Sequence, residues 1–242
     1  MEHIFIIKNL TKVYGEKKVL DIDELKLSEG SITGIIGPSG AGKSTLLYIL
    51  NGLEKATSGK IFFDGKELKG EPDIETRRHM SMVFQKPAVF NTTVYENMAY
   101  SLKLRGMQKA QVKDRVHELA KLTGLEDKLR QKAATLSGGE AQRLSLVRAI
   151  IHKPRVLLLD EPTANLDPAN VAMIEKLILY VKEEYKTSIV IITHNMFQAK
   201  RISERLVFLL NGSIVESGDT REIFSSPKDS RTLDFIEGRM IY

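Results

Sequence analysis

Gly37-Pro38-Ser39-Gly40-Ala41-Gly42-Lys43-Ser44-Thr45 follows a short apolar stretch, Ser31 to Ile36, and leads into Ser44 to Leu53. The first stretch reads as a buried strand, and the second as a helix with Leu46, Leu47, Ile49 and Leu50 on its apolar face. Glycine, four residues and then Gly-Lys-Ser is the pattern of a backbone cradle for phosphate. Gly37, Gly40 and Gly42 let the chain turn its N–H groups inward, Lys43 reaches the outer phosphates, and the Ser44 hydroxyl is a ligand for Mg2+. The helix that starts here points its positive end at the anion. A glycine-rich turn is the alternative, but the strand-loop-helix setting is the one the cradle requires. Binding of a nucleoside triphosphate is expected.

The chain has 242 residues, 42% of them hydrophobic, enough to bury a full core in one large domain or two closely packed lobes. No apolar run reaches the roughly 18 residues of a membrane span. The start, Met1 to His3 followed by Ile4 to Ile7, lacks the layout of a secretion signal, so a cytosolic chain is expected. The absence of cysteine excludes disulfides and thiolate metal sites. The net charge of +5 is spread along the chain, which reads as a solvated surface around a positive phosphate site and not as a nucleic-acid footprint. From about Thr93 to Asp127 helix-forming residues replace the strand-and-glycine alternation, as in a helical insertion into an α/β core.

Val156-Leu157-Leu158-Leu159-Asp160-Glu161 reads as a fully buried parallel strand whose two carboxylates emerge at the ligand edge of the sheet. Asp160 is then the magnesium-side carboxylate, and Glu161 is placed to polarise a water for attack on the γ-phosphate. Leu136-Ser137-Gly138-Gly139-Glu140 opens another helix, where Ser137, Gly138 and Gly139 offer a second anion-binding start or a plain capped loop. One triphosphate seldom needs two cradles from one subunit, and two facing copies account for both. Gln85 and His194 follow apolar segments and sit at strand ends, where a γ-phosphate is sensed, and Tyr14 can stack on a base. Each of these three taken alone reads better as an ordinary surface, strand-end or packing residue, and their value is collective.

The order and spacing of phosphate loop, glutamine, Leu-Ser-Gly-Gly-Glu, apolar-Asp-Glu and histidine resemble those of ATP-binding cassette proteins, the nucleotide-binding subunits of ABC transporters, over essentially the whole chain. That resemblance implies a P-loop NTPase α/β fold across residues 1–242, with an amino-terminal β-rich portion, a mainly parallel core sheet and a helical signature subdomain over about 90–134. It implies that Tyr14 stacks on adenine, Gly37 to Thr45 is the Walker A loop, and Gln85 is the Q-loop residue and a further magnesium ligand beside Ser44 and Asp160. Glu161 would be the general base, Asn165-Leu166-Asp167 the D-loop with Asp167 at the nucleotide, and His194 the switch histidine. Two copies would close head to tail on ATP and Mg2+, with Ser137, Gly138 and Gly139 of one copy on the γ-phosphate held by the other. Ala141 departs from the glutamine that many relatives carry after the signature.

The stretches from Gln85 to Tyr100, Thr193 to Arg201 and Phe235 to Tyr242 resemble importer cassettes for oxyanions, of the tungstate type first and then the molybdate or phosphate types. Partners implied are membrane permease subunits and, indirectly, an extracytoplasmic binding protein, with the cassette peripheral at the cytoplasmic face and no nucleic acid bound. Phe90 and Tyr95 are candidate anchors for the permease, and the alternative for both is burial within the helical lobe itself. The rivals are an exporter or lipid-extraction cassette, a soluble cassette ATPase acting on nucleic acid, and a phosphate-loop kinase or GTPase. The last has no use for Leu136 to Glu140.

Overall fold

The computed structural model describes residues 2–240, so the expectations that fall on Met1, Ile241 and Tyr242 lie outside the described residues. β1 (His3–Tyr14) and β2 (Lys17–Ser28) form an antiparallel hairpin, and β3 (Ile32–Ile36) leads through the phosphate loop into α1 (Lys43–Leu50). β4 (Ser58–Phe63) and β5 (Lys66–Glu67) complete an antiparallel sheet of order β2-β1-β4-β5. After α2 (Ile74–Arg78) and β6 (Met80–Val83) come α3 (Val94–Leu104), α4 (Lys109–Leu122), α5 (Gly138–Ile150) and β7 (Val156–Asp160). The chain continues with α6 (Pro168–Tyr185), β8 (Ser188–Ile192), α7 (Met196–Ile202), β9 (Arg205–Leu210), β10 (Ser213–Asp219), α8 (Thr220–Ser225) and α9 (Ser230–Ile236). The second sheet has the order β10-β9-β3-β8-β7-β6 and is parallel except for the β9-β10 hairpin. This is the expected α/β fold with a β-rich amino-terminal portion and a mainly parallel core sheet.

The continuous apolar runs of β7 and β8 follow from burial on both faces. Leu157, Leu159, Ile189 and Ile191 point into the core shared with α3 to α6, whereas Val156, Leu158, Val190 and Ile192 point into the core shared with α1 and the antiparallel sheet. Period-two geometry makes neighbouring residues serve opposite layers, so these strands are apolar except where they end at Asp160 and begin at Ser188.

α1 ends three residues earlier than the apolar pattern predicts, at Leu50 instead of Leu53. Gly52 takes φ +70, its N–H bonds the carbonyl of Ile49, and the Leu53 N–H bonds that of Tyr48, a pairing that closes a helix end with a left-handed glycine. α3 begins at Thr93, whose hydroxyl accepts the Glu96 N–H at 3.1 Å. A bridge between Thr93 and Lys132 brings both ends of the α3–α4 segment together, so this segment leaves and rejoins the rest of the chain at one place.

Candidate functional site at the edge of the parallel sheet

Strand register places the chemistry. Val83 pairs with Leu159 and Asp160 pairs with Ile192, so the residues that follow these strands, Gln85, Glu161 and His194, leave the sheet side by side. The Glu161 N–H also bonds the Ile192 carbonyl at 3.1 Å, and Glu161 turns with φ +48, a left-handed conformation uncommon outside glycine. That turn presents the carboxylate to both neighbours. Its Oε1 lies 2.5 Å from His194 Nε2, and its Oε2 accepts a hydrogen bond from Gln85 Nε2 at 3.0 Å. Glu161 is mostly covered, with 18% of its side chain exposed, while His194 keeps 44% open to solvent, as suits a group that meets something outside the chain.

The phosphate loop lies against the same edge. Gly42 caps α1 at φ +101 without a side-chain hydrogen bond, and a Cβ there would lie 2.7 Å from Leu20 Cδ2 and 2.8 Å from the Val19 carbonyl oxygen. Only glycine lets the loop press on β2 in this conformation. The first N–H groups of α1 are therefore left for an anion. Lys43 is buried and donates from Nζ to the carbonyl oxygens of Gly37 at 2.8 Å and Pro38 at 2.7 Å. Burial holds its ammonium below the ordinary pKa, against the opposite pull of the Glu161 and Asp160 carboxylates. Ser44 Oγ donates to Asp160 Oδ1 at 3.0 Å, and burial, with Glu161 adding to it, pushes the Asp160 carboxyl above the usual range despite that bond. Both charges are thus disfavoured as they stand, and a cation with its anionic ligand in the cradle would stabilise each.

Tyr48 Oη also reaches Asp160, at 3.4 Å to Oδ2. Sequence reasoning passed over this tyrosine, although its place one helical turn after Ser44 was the available signal. Tyr14, half-exposed at the end of β1, has the Lys12 ammonium 4.5 Å from its ring centre and pairs its hydroxyl with Glu54, outside the cluster of Gln85, Asp160 and Glu161.

The second cradle is built differently. Ser137 caps α5 by accepting the Glu140 N–H at 3.4 Å, and Glu140 accepts the Ser137 N–H at 2.8 Å. The backbone N–H of Ser137 and the ammonium of Lys128 hold the Glu140 carboxyl down at about 2. A Cβ on Gly138 would meet open space, whereas one on Gly139 would overlap the side chain of Asn170. The start of α5 therefore abuts the start of α6, which Asp167 caps through the Asn170 N–H at 2.9 Å. Gln85, Asp160, Glu161, His194 and the phosphate loop come together, while Gly139 and Asp167 both meet Asn170, with Ser137 and Gly138 at the same helix start. The role of Asn170 was not foreseen.

A groove of about 200 Å³ between β6, α3 and α5 is lined by Met82, Phe84, Tyr100 and Arg148 among others. Phe90 flanks it, 4.7 Å from the Tyr100 ring and 4.0 Å from the Arg148 guanidinium. Tyr95 packs on the α3–α4 core and against His117, as in the alternative of a residue covered by the lobe itself.

The family model described as ABC transporter matches residues 20–164. The chain belongs to the ABC transporter family. It is 41% identical, over 98% of its length, to the phosphate import ATP-binding protein PstB 2 of Bacillus licheniformis, of which it covers 90%. It is 45% identical, over 87% of its length, to the tungstate uptake system ATP-binding protein TupC of Peptoclostridium acidaminophilum, of which it covers 96%. A solved dimeric ATP-binding cassette in a post-hydrolysis state, bound to ADP and Pi, matches with a TM-score of 0.82 at 31% identity, over 90% of this chain and 99% of that one. This ABC cassette is thus an ATPase that uses ATP with Mg2+. Among the described residues no helix is long and apolar enough to cross a membrane.

Proposed function

We propose that the chain is the ATP-hydrolysing subunit of an oxyanion importer, with tungstate as cargo. Two copies close head to tail on ATP beneath two permease subunits at the cytoplasmic face, and an extracytoplasmic binding protein delivers the anion. Residues 1–242 act as one ATP-binding domain, with the helical portion at about 90–134 inserted in the α/β core. The observation that carries the chemistry is the Glu161 carboxylate held between Gln85 and His194 beside the phosphate loop.

In this reading Glu161 takes a proton from the attacking water, His194 and Gln85 orient that water and the γ-phosphate, and Lys43 with the loop N–H groups neutralises the charge that develops on the phosphate. Mg2+, for which the Ser44 hydroxyl, the Asp160 carboxylate and the Gln85 side-chain oxygen are suitable hard donors, supplies charge neutralisation at the phosphates when bound. Tyr14 stacks on the adenine. Ser137, Gly138, Gly139 and Asp167 serve the nucleotide held by the other copy, which the open space over Gly138 supports. The groove at Met82, Tyr100 and Arg148 receives the permease.

Tungstate is favoured by the higher identity to TupC, and phosphate is the second reading because PstB 2 matches over more of the chain. The test is ATPase activity of the reconstituted importer with its binding protein loaded in turn with tungstate, molybdate, phosphate and sulfate. Stimulation by tungstate first is expected. Response to phosphate alone replaces the cargo, and response to none of the four removes the oxyanion assignment.

A further inference from the structure

Behind the catalytic edge runs a chain of polar side chains that none of the roles above uses, buried at its centre, Gln198 and Glu175, and reaching a half-buried Thr163 at one end and an exposed Arg201 at the other. Thr163, two residues beyond Glu161, donates from Oγ1 to Gln198 Oε1 at 3.1 Å. Gln198 is wholly buried and donates from Nε2 to Glu175 Oε1 at 3.0 Å. Glu175 in turn receives Arg201 in a two-point contact, Nε to Oε2 at 2.8 Å and Nη2 to Oε1 at 2.6 Å. Burial pushes the Glu175 carboxyl up, but the Arg201 guanidinium and the Gln198 amide outweigh it and leave it below the usual range, so the anchor is an ionised carboxylate.

The first bond of this chain, between Thr163 and Gln198, joins the two segments whose separation matters most. Gln198 lies four residues after His194, on α7, whose first turn is fixed by Asn195 accepting the Gln198 N–H at 3.0 Å. Thr163 lies in the turn that follows Glu161, the residue held at φ +48. A wholly buried amide satisfied on both ends has little freedom to rotate, because losing either bond would strand a polar group away from water. Gln198 therefore ties the Glu161 turn to the His194 helix, and Glu175 and Arg201 tie Gln198 to α6, the helix that Asp167 caps.

We propose that Gln198 and Thr163 are positioning residues for ATP hydrolysis, setting the distance between Glu161 and His194 through the Thr163–Gln198 hydrogen bond. The inference rests on the roles proposed above for Glu161 and His194. Neither positioning residue touches ATP, so their loss should lower kcat while leaving KM for MgATP within about threefold of the parent value.

The experiment compares Thr163→Val, Thr163→Ser, Gln198→Met, the Thr163→Val/Gln198→Met pair and Glu161→Gln in the full chain, by steady-state ATPase kinetics and thermal melting. Thr163→Val keeps the side-chain shape without the hydroxyl and should cut kcat about 10- to 100-fold, the size of effect that misplacing a reacting group by about 1 Å produces. Thr163→Ser, which restores the hydroxyl, should recover most of that loss. The double variant should be no slower than the slower single variant, since both single variants remove the same Thr163–Gln198 bond and Gln198→Met alone also removes the bond to Glu175. Parental kcat in Thr163→Val with Glu161→Gln inactive overturns the positioning role and leaves the general base in place. Losses that track melting temperature, without recovery by serine, also overturn it, by reducing the network to a fold-stabilising contact. Parental turnover in Glu161→Gln overturns the base assignment and this inference together.

Discussion

The chain carries two helix starts rich in glycine, and they are finished in opposite ways. At Gly42 the helix begins with no side-chain cap, against a buried lysine whose ammonium leans on loop carbonyls. At Ser137 the first turn is already closed by a reciprocal pair of hydrogen bonds with Glu140. The first is a loop built inward, its charges raised in energy by burial and open to a partner charge. The second is a stable, self-satisfied surface with open space over Gly138. Such a surface gains an anion only when something presents one from outside, which is what a second copy with bound ATP would do.

The strongest way to break this contrast is to damage each start. Lys43→Ala should lower turnover about 100- to 1,000-fold, as loss of a donor aimed at developing charge does. Ser137→Arg should be as inactive, yet its isolated chain should bind nucleotide like the parent. Mixing the two chains should restore ATP-driven dimer formation, because one shared site then has both halves intact. Sedimentation with ATP checks this, and parental dimer formation by Ser137→Arg chains alone would sink the composite site.

A smaller effect sharpens the difference in packing. Gly42→Ala should cost about 2–4 kcal/mol of stability, from backbone strain and collision with Leu20 and Val19. Gly138→Ala should stay within about 0.5 kcal/mol of the parent, since its φ is unexceptional and nothing stands near the added methyl. Urea unfolding of the two variants decides it, and equal losses would mean that the second start is as tightly enclosed as the first.

The smallest effect is electrostatic. The Glu140 carboxyl is lowered from 4.5 to about 2 in the folded chain, so its contribution is fully present above 4.5 and is lost as pH falls toward 2. Glu140→Gln should flatten the fall in stability over that window, by only a fraction of the roughly 1.4 kcal/mol per pH unit that one proton allows, because its partner Lys128 keeps 29% of its side chain exposed and solvent screens the pair. Urea midpoints at pH 5 and pH 3 measure it. Parallel slopes in parent and variant would remove Glu140 as the partner that completes the Ser137 cap.

The candidate site was legible wherever chemistry leaves a local pattern. Gly37 to Thr45 and the run ending in Asp160 and Glu161 announce themselves by spacing, and the alternation of β7 and β8 between two cores explains why their strands read as unbroken apolar runs. Tyr95 stayed ambiguous because an aromatic residue near a groove and one packed within the lobe look alike in sequence, and only its packing on the α3–α4 core and His117 separates them. Gln198, Glu175 and Asn170 carry no local signal, since a polar residue within a helix is ordinarily a solvated one.

What the sequence by itself determined is the nucleotide chemistry and the order of strand, loop and helix, because backbone conformation and functional groups there are set by residues a few positions apart. Tertiary structure alone decided that Gln85, Glu161 and His194 meet. They stand 76 and 33 residues apart, and it is the parallel pairing of Val83 with Leu159 and Asp160 with Ile192 that sets them level. Register across a parallel sheet is fixed by how whole layers pack, and no short stretch of chain contains that information.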